Sequence, residues 1–248
     1  MGGRFFMSNP LKYLCWRVTG IHSPFTIHAI QTMSETRLVV IRHAETTWNR
    51  DKRMQGTTDT PLSDVGRAQA QALGRRLSGQ DFSALYTSDL SRARDTAQAI
   101  AEHTGREFVI DPRLQERRFG IFEGLLAAEI LSRYPEEHAR FASRDPDYEV
   151  PGGESARDFM RRCIGCLSEI AGRHRGEEVV VVTHGLVLDS LYRVAHRLEH
   201  GAPRPVPLIN ASVNLFGYSG GAWRMELWGD VSHLAPDQVT AYRGAAAT

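Results

Sequence analysis

Apolar positions follow two rhythms along the chain: short unbroken aliphatic runs, and longer stretches in which they return every three or four residues. Leu38-Val39-Val40-Ile41 and Val179-Val180-Val181-Val182 are the clearest runs, and their length and β-branched content predict strands buried on both faces. Ala84 to Thr87 and Phe108 to Ile110 predict two shorter strands. Between the strands the spacing turns helical. Ser63 reads as the N-cap of a helix through Leu77, with Val65, Ala68, Ala72 and Leu77 near one face and Gly79 beyond its end. A second helix follows Ser88-Asp89-Leu90-Ser91, turns Ala93, Ala97, Ile100 and Ala101 inward and stops at Gly105. The turn Pro151-Gly152-Gly153-Glu154-Ser155 opens a third, which carries Phe159, Cys163, Cys166, Leu167 and Ile170 on one face. A fourth follows His184-Gly185, with Val187, Leu191, Val194, Ala195 and Leu198 aligned, and two short helical patterns are broken at Pro135. Val213 to Tyr218 and Trp223 to Trp228, joined through Ser219-Gly220-Gly221, predict a closing hairpin.

Strands that alternate with helices predict an α/β fold: a three-layer α/β/α sandwich whose central sheet is mostly parallel, with an antiparallel edge supplied by the hairpin. One domain is expected over residues 37–248. Residues 1–36 read differently, with no clear periodicity, Arg4, Lys12 and Arg17 as basic residues and Glu35 as the only acid. No apolar stretch followed by a small-residue cleavage site marks a targeting peptide there. The segment is expected to be an extension, disordered or translated from a start codon upstream of Met33.

Composition narrows the function classes. The 248 residues carry a formal net charge of +1, so there is no global field for nucleic acid or an anionic membrane, and any anion site must come from locally grouped arginines. No apolar run approaches the roughly 20 residues of a membrane span. Three cysteines, Cys15, Cys163 and Cys166, are too few for a disulfide framework and point to a reducing, cytoplasmic setting. Cys163 and Cys166 lie inside the helical pattern and are read as core packing.

Chemistry gathers where the two strongest strands stop. Val-Val-Ile-Arg42-His43 and Val-Val-Val-Thr183-His184 end alike, each before a small residue and a helix. If both strands are central and parallel, His43 and His184 emerge on one rim of the sheet, where helix N-termini offer unpaired amides to an anion. Arg92, in the first turn of another helix, reaches the same rim. Two arginines, two histidines and helix amides around one point describe a phosphoryl-sized anion site that requires no metal or other cofactor.

The ordered motifs Arg42-His43-Ala44-Glu45-Thr46-Thr47-Trp48-Asn49, Gln55-Gly56, Pro61-Leu62-Ser63, Ser91-Arg92-Ala93, Glu116 within Leu-Gln-Glu-Arg-Arg-Phe-Gly-Ile-Phe-Glu-Gly, and Thr183-His184-Gly185 together resemble the histidine phosphatase superfamily, the phosphoglycerate mutase-like fold. The resemblance extends over about residues 37 to 230. It implies that His43 is the nucleophile and is transiently phosphorylated, that Arg42, Arg92, His184 and Asn49 hold the phosphoryl oxygens, and that Glu116 protonates the leaving group and then activates water. It also implies that Thr46, Gln55, Gly56 and Gly185 line the phosphate and substrate pocket. Arg94, Arg117 and Arg118 are expected to be solvated or salt-bridged. Ala44 departs from the family's usual Arg-His-Gly, and its methyl group is expected to restrict the backbone and its approach to phosphate.

The expected reaction is metal-independent hydrolysis of a small phosphate monoester, because only Leu125 to Pro151 separates the Phe-Gly-Ile-Phe-Glu-Gly motif from the Gly-Glu-Ser turn, and Asn210-Ala211-Ser212-Val213 also resembles the phosphatase branches of the family. Phosphoglycerate mutase-type transfer is the alternative within the class. Outside it stand a metal-dependent hydrolase, for which no short ligand motif is visible, and a non-catalytic module that binds a phosphorylated ligand. The expected partner is a small phosphorylated metabolite, and the apolar Val213 to Trp228 hairpin reads either as a homodimer edge or as ordinary packing.

Overall fold

A computed structural model describes residues 34–202 and 206–242; the reading of residues 1–33 as an extension lies outside the described residues. The aliphatic runs become β1 (Thr36–Arg42) and β4 (Glu178–Thr183), which lie side by side and parallel at the centre of a six-stranded sheet. β4 also pairs in parallel with β2 (Ala84–Thr87), and β2 with β3 (Phe108–Ile110). On the other side β1 pairs antiparallel with β6 (Val213–Ser219), which turns into β7 (Ala222–Asp230). The strand order is therefore β3-β2-β4-β1-β6-β7, mostly parallel with an antiparallel hairpin edge.

Both faces of the sheet are covered, which is why its central strands are continuously apolar. Leu38, Val40, Val179 and Val181 point to one side and pack on α6 (Ala156–Arg173) and α7 (Gly185–His196) through Phe159, Cys163, Leu167, Ile170, Val187 and Leu191. Val39, Ile41, Val180 and Val182 point to the other and meet α2 (Asp64–Leu77) and α3 (Ser91–Thr104) through Ala70, Leu73, Leu77, Ala97 and Ile100. Each such side chain, moved from water into this core, contributes at most about 1.5–3 kcal/mol. Cys163 and Cys166 are buried free thiols, each pushed up to about 12 by burial, in keeping with core packing. No helix among the described residues is long and apolar enough to cross a membrane.

Two expected faces are rotated. Val65 is exposed, and the buried side of α2 is instead set by Ala70, Leu73 and Leu77 together with a fully buried Gln69. Gln69 is tolerated there because its amide is satisfied: Oε1 accepts from the Glu45 N–H at 2.8 Å and Nε2 donates to the Gln238 carbonyl at 2.6 Å. Leu198 is also exposed, because α7 ends at His196 and Arg197 takes the left-handed conformation (φ 56°), turning the next residue off the helical face. The short pair β5 (Leu208–Ile209) and β8 (Ala241–Tyr242) had no sequence signal, being too brief to show a period of two.

A satellite cluster of Phe119, Phe122, Ile130, Tyr148 and Val150 lies under the segment that holds α4 (Ala127–Arg133) and α5 (Pro135–Ala142), split at Pro135 as expected.

Candidate active site

The register of the central pair builds the site. Arg42 is opposite Thr183, and the His43 N–H donates to the Thr183 carbonyl at 2.8 Å, so the two strands release their histidines at the same level. The His43 and His184 rings lie 5.2 Å apart between centroids, tilted by 58°. Both are buried.

His43 Nδ1 lies 2.7 Å from the Ala44 carbonyl, which only accepts, so Nδ1 carries the proton and Nε2 keeps its lone pair. Burial, followed by the Arg92 and Arg42 charges, holds His43 well below the usual 6.5; the ring is neutral and nucleophilic at neutral pH. His184 is lowered by burial, then by Arg92, His43 and Arg42. Neither of its ring nitrogens has a hydrogen-bond partner among the described residues. A buried polar group left unsatisfied costs about 1–3 kcal/mol, and this pair of nitrogens is available to a ligand.

Two guanidinium groups place positive charge beside the imidazoles. Arg42 Nη1 donates to the Leu208 carbonyl at 2.7 Å, and the side chain lies against the first residue of α7: a Cβ on Gly185 would sit 3.4 Å from Arg42 Nε. Arg92, fully buried in the first turn of α3, donates from Nη2 to the Gly56 carbonyl at 2.6 Å and from Nη1 to the Thr58 carbonyl at 3.1 Å. Burial lowers its pKa to about 10, opposed by Glu116, Asp59 and Glu123, and the group stays cationic at neutral pH. Its Nε makes no hydrogen bond among the described residues.

Glu116 reaches the same place from the loop after β3. Its Oε1 accepts from the Arg117 N–H at 2.9 Å and its Oε2 from the Leu186 N–H, in the first turn of α7, at 3.0 Å. Burial raises its pKa, against the lowering effect of those amides and of Arg92 and Arg42. The loop is clamped by Arg162, which donates to the carbonyls of Arg113, Gln115 and Glu116 at 2.9, 3.1 and 3.3 Å and to Glu154 Oε1 at 2.6 Å. Sequence reasoning gave no role to Arg162 or Glu154, since a charged pair in a loop and helix normally signals only a solvated surface.

Thr46, Asn49 and Gln55 come together but bind largely to one another. Thr46 caps α1 (Thr47–Arg50), accepting from the Asn49 N–H at 3.0 Å and from Gln55 Nε2 at 2.7 Å; Gln55 Nε2 also donates to Thr60 Oγ1. Asn210, which the sequence did not single out by role, donates to the His43 carbonyl and to Asn49 Oδ1, both at 3.1 Å. Its neighbour Ala211 (φ 55°) donates its N–H to the Arg42 carbonyl at 3.1 Å. Their only sequence signal was the Asn210-Ala211-Ser212-Val213 run.

Ala44 keeps a backbone conformation outside the left-handed region. It belongs to the buried cluster that holds Val39, Ile41 and Leu62, and its N–H donates to Thr96 Oγ1, which in turn donates to the Arg92 carbonyl. Arg117 is neither solvated nor salt-bridged at the surface: it is buried, donates to the Glu154 and Tyr148 carbonyls at 3.0 and 3.4 Å, and lies over the rings of Phe119 and Phe141. Among the described residues no group of three or more His, Cys, Asp or Glu side chains is placed to hold a metal ion.

The chain is similar to known proteins over most of its length. It is 43% identical over 201 residues to "Phosphoglycerate mutase-like protein 4" of Arabidopsis thaliana, covering 79% of this chain and 86% of that one. It is 41% identical over 204 residues to "Metal-independent phosphoserine phosphatase" of the same plant, covering 81% and 84%. Among solved structures, Bacillus stearothermophilus YhfR superposes with a TM-score of 0.73 at 36% identity, covering 80% of this chain and 98% of that one. Residues 38–231 match the histidine phosphatase superfamily, branch 1, and with the paired histidines at the ends of β1 and β4 the chain belongs to that family.

Proposed function

We propose that this protein hydrolyses small phosphate monoesters through a phosphohistidine on His43. One observation carries the reading: a buried imidazole whose Nδ1–H is held by the Ala44 carbonyl, so that its Nε2 lone pair is free beside two buried guanidinium groups and a second imidazole. A phosphate dianion repels anionic nucleophiles, and a neutral nitrogen avoids that repulsion. In the first step His43 Nε2 forms a bond to phosphorus as the bond to the leaving oxygen breaks in line. Arg42, Arg92, His184 and Asn49 hold the oxygens on which charge reorganises. Glu116, whose pKa burial raises, gives its proton to the departing alkoxide. The resulting carboxylate then takes a proton from water as the water oxygen attacks phosphorus, releasing inorganic phosphate and restoring both His43 and the acid.

Gly56 and Gly185 give the pocket its backbone walls, while Thr46 and Gln55 shape it through their bonds to each other. The working unit is placed within residues 37–248, acting in the cytoplasm on a freely diffusing metabolite, with neither nucleic acid nor membrane as partner. A carboxylate-bearing monoester such as phosphoserine is the first substrate to try, since a relative 41% identical carries that name. Mutase-type transfer is favoured as the second reading by the likeness to a protein named phosphoglycerate mutase-like.

The test is turnover of an activated aryl phosphate, phosphoserine and the phosphoglycerates in the presence of a chelator. Release of inorganic phosphate is expected to dominate over isomerised phosphoglycerate, and mass spectrometry of acid-sensitive adducts is expected to place the phosphoryl group on His43. Normal turnover by His43→Ala would falsify the mechanism.

A further inference from the structure

A single peptide unit stands between two opposite charges near the site. The carbonyl of Gly56 accepts from Arg92 Nη2 at 2.6 Å, and the N–H of that same peptide, on Thr57, donates to Glu123 Oε1 at 3.1 Å. Thr58 repeats the arrangement across one residue: its N–H donates to Glu123 Oε2 at 2.7 Å, its hydroxyl donates to the same oxygen, and its carbonyl accepts from Arg92 Nη1 at 3.1 Å. The loop therefore turns its donors to the carboxylate and its acceptors to the guanidinium.

Glu123 is saturated by this role. The Thr57 hydroxyl, at 3.4 Å, and the Phe119 N–H, at 2.9 Å, complete a set of five neutral donors around its two oxygens. Only an acceptor-only carboxylate satisfies such a set; an amide would set its own N–H₂ against one of them. The loop is shaped around the carboxylate as well. Gly56 has φ 56°, and a Cβ there would overlap the Glu123 side chain, so glycine is required on both counts. At the far end of the loop, Asp59 Oδ1 accepts from the Ser91 N–H at 2.9 Å and from Ser91 Oγ at 2.7 Å, tying the loop to the first turn of the helix that carries Arg92.

Arg92 spends one N–H of each Nη on the loop, while its Nε makes no hydrogen bond among the described residues. The direction in which the remaining N–H groups point is thus set by two carbonyls, and the direction of those carbonyls by Glu123. We propose that Glu123 is a positioning residue for phosphate capture, holding the Gly56–Thr58 loop so that its carbonyls orient the Arg92 guanidinium toward the phosphoryl oxygens. The inference rests on the reading of Arg92 as a phosphate ligand. The plainer role for Glu123 is to fasten the 119–124 segment to the loop, which would affect stability without acting through Arg92.

A double-mutant cycle separates the two roles. Wild type, Glu123→Gln, Arg92→Lys and the double variant are compared for kcat/KM on an aryl phosphate, for the inhibition constant of inorganic phosphate, and for urea unfolding. Glu123→Gln is expected to lower kcat/KM about 10- to 100-fold and to raise the phosphate inhibition constant about 10-fold; in the Arg92→Lys background it is expected to change either by less than about 2-fold, because the group it acts through has already been lost. Near-wild-type values for Glu123→Gln, or losses that multiply in the double variant, would overturn the proposal. If Glu123→Gln is not recovered folded, Glu123→Asp, which keeps the charge and withdraws it by one methylene, replaces it under the same two criteria. Wild type that neither turns over substrate nor binds phosphate would sink the functional reading and this inference with it, a result distinct from an active wild type with an indifferent Glu123.

Discussion

At the scale of single residues, burial shifts the titration of the imidazoles and the carboxyl group gathered at the strand ends. His43 and His184 are neutral because charging them would place a cation in a buried space already shared by two arginines. Glu116 is displaced the other way by the same burial, which favours its acid form. Replacing Glu116 by Gln is expected to lower kcat on an unactivated alkyl phosphate by about 10²- to 10⁴-fold. The loss is expected to be smaller on an aryl phosphate, whose leaving group needs less help from a proton. The pH profile carries a second sign: wild-type kcat/KM is expected to fall as pH rises through the raised Glu116 pKa, and that alkaline limb is expected to disappear in the Gln variant. A limb that survives the substitution would assign the acid elsewhere.

At the scale of elements, the helix starts matter as much as the strand ends. α7 begins against Arg42 with no side chain in between, and a methyl on Gly185 would meet Leu208 Cδ1 at 3.3 Å as well as the guanidinium. Gly185→Ala is therefore expected to raise KM and the phosphate inhibition constant about 3- to 10-fold, about 0.7–1.4 kcal/mol of binding, with little change in unfolding midpoint. α6 serves two ends: Arg162 on it clamps the loop of Glu116, while Leu167 faces the core. Leu167→Ala removes a fully buried side chain of the cluster between α6 and the sheet, and is expected to cost about 2–5 kcal/mol in urea unfolding while leaving KM unchanged in the protein that remains folded. Ser155, whose hydroxyl accepts from the Asp158 N–H at 3.1 Å, caps the same helix; its replacement by Ala is expected to cost about 1 kcal/mol in the same measurement.

At the scale of the molecule, burying the two imidazoles makes stability depend on acid. Both have folded pKa values depressed below the ordinary 6.5, so the unfolded chain binds protons first. Their contribution is present above that value and is lost as pH falls through the folded pKa values, at about 1.4 kcal/mol per pH unit for each ring. Urea midpoints are expected to fall between pH 7 and pH 5, and His184→Asn is expected to flatten the fall. An unchanged slope would mean that His184 is protonated in the folded protein.

Much of this was legible in the chain itself. The aliphatic runs, the helical spacing, the cap at Ser63 and the turn from Pro151 to Ser155 are local properties, written wherever one period and one turn of side chains decide burial; they determined the layers, the parallel centre and the hairpin edge. The two strand endings placed His43 and His184 together because a shared rim follows from parallel neighbours. Only the tertiary structure decided what lies between elements: that Gln69 and not Val65 faces inward, that Arg117 is buried over Phe119 and Phe141, and that Asn210 supports His43. Most of all, it turned Glu123 from one more charge in a polar loop into the group that meets five donors from two segments about 60 residues apart. Polar groups carry no periodic signature, because what makes a buried one tolerable is the partner it finds, and that partner is chosen by the fold.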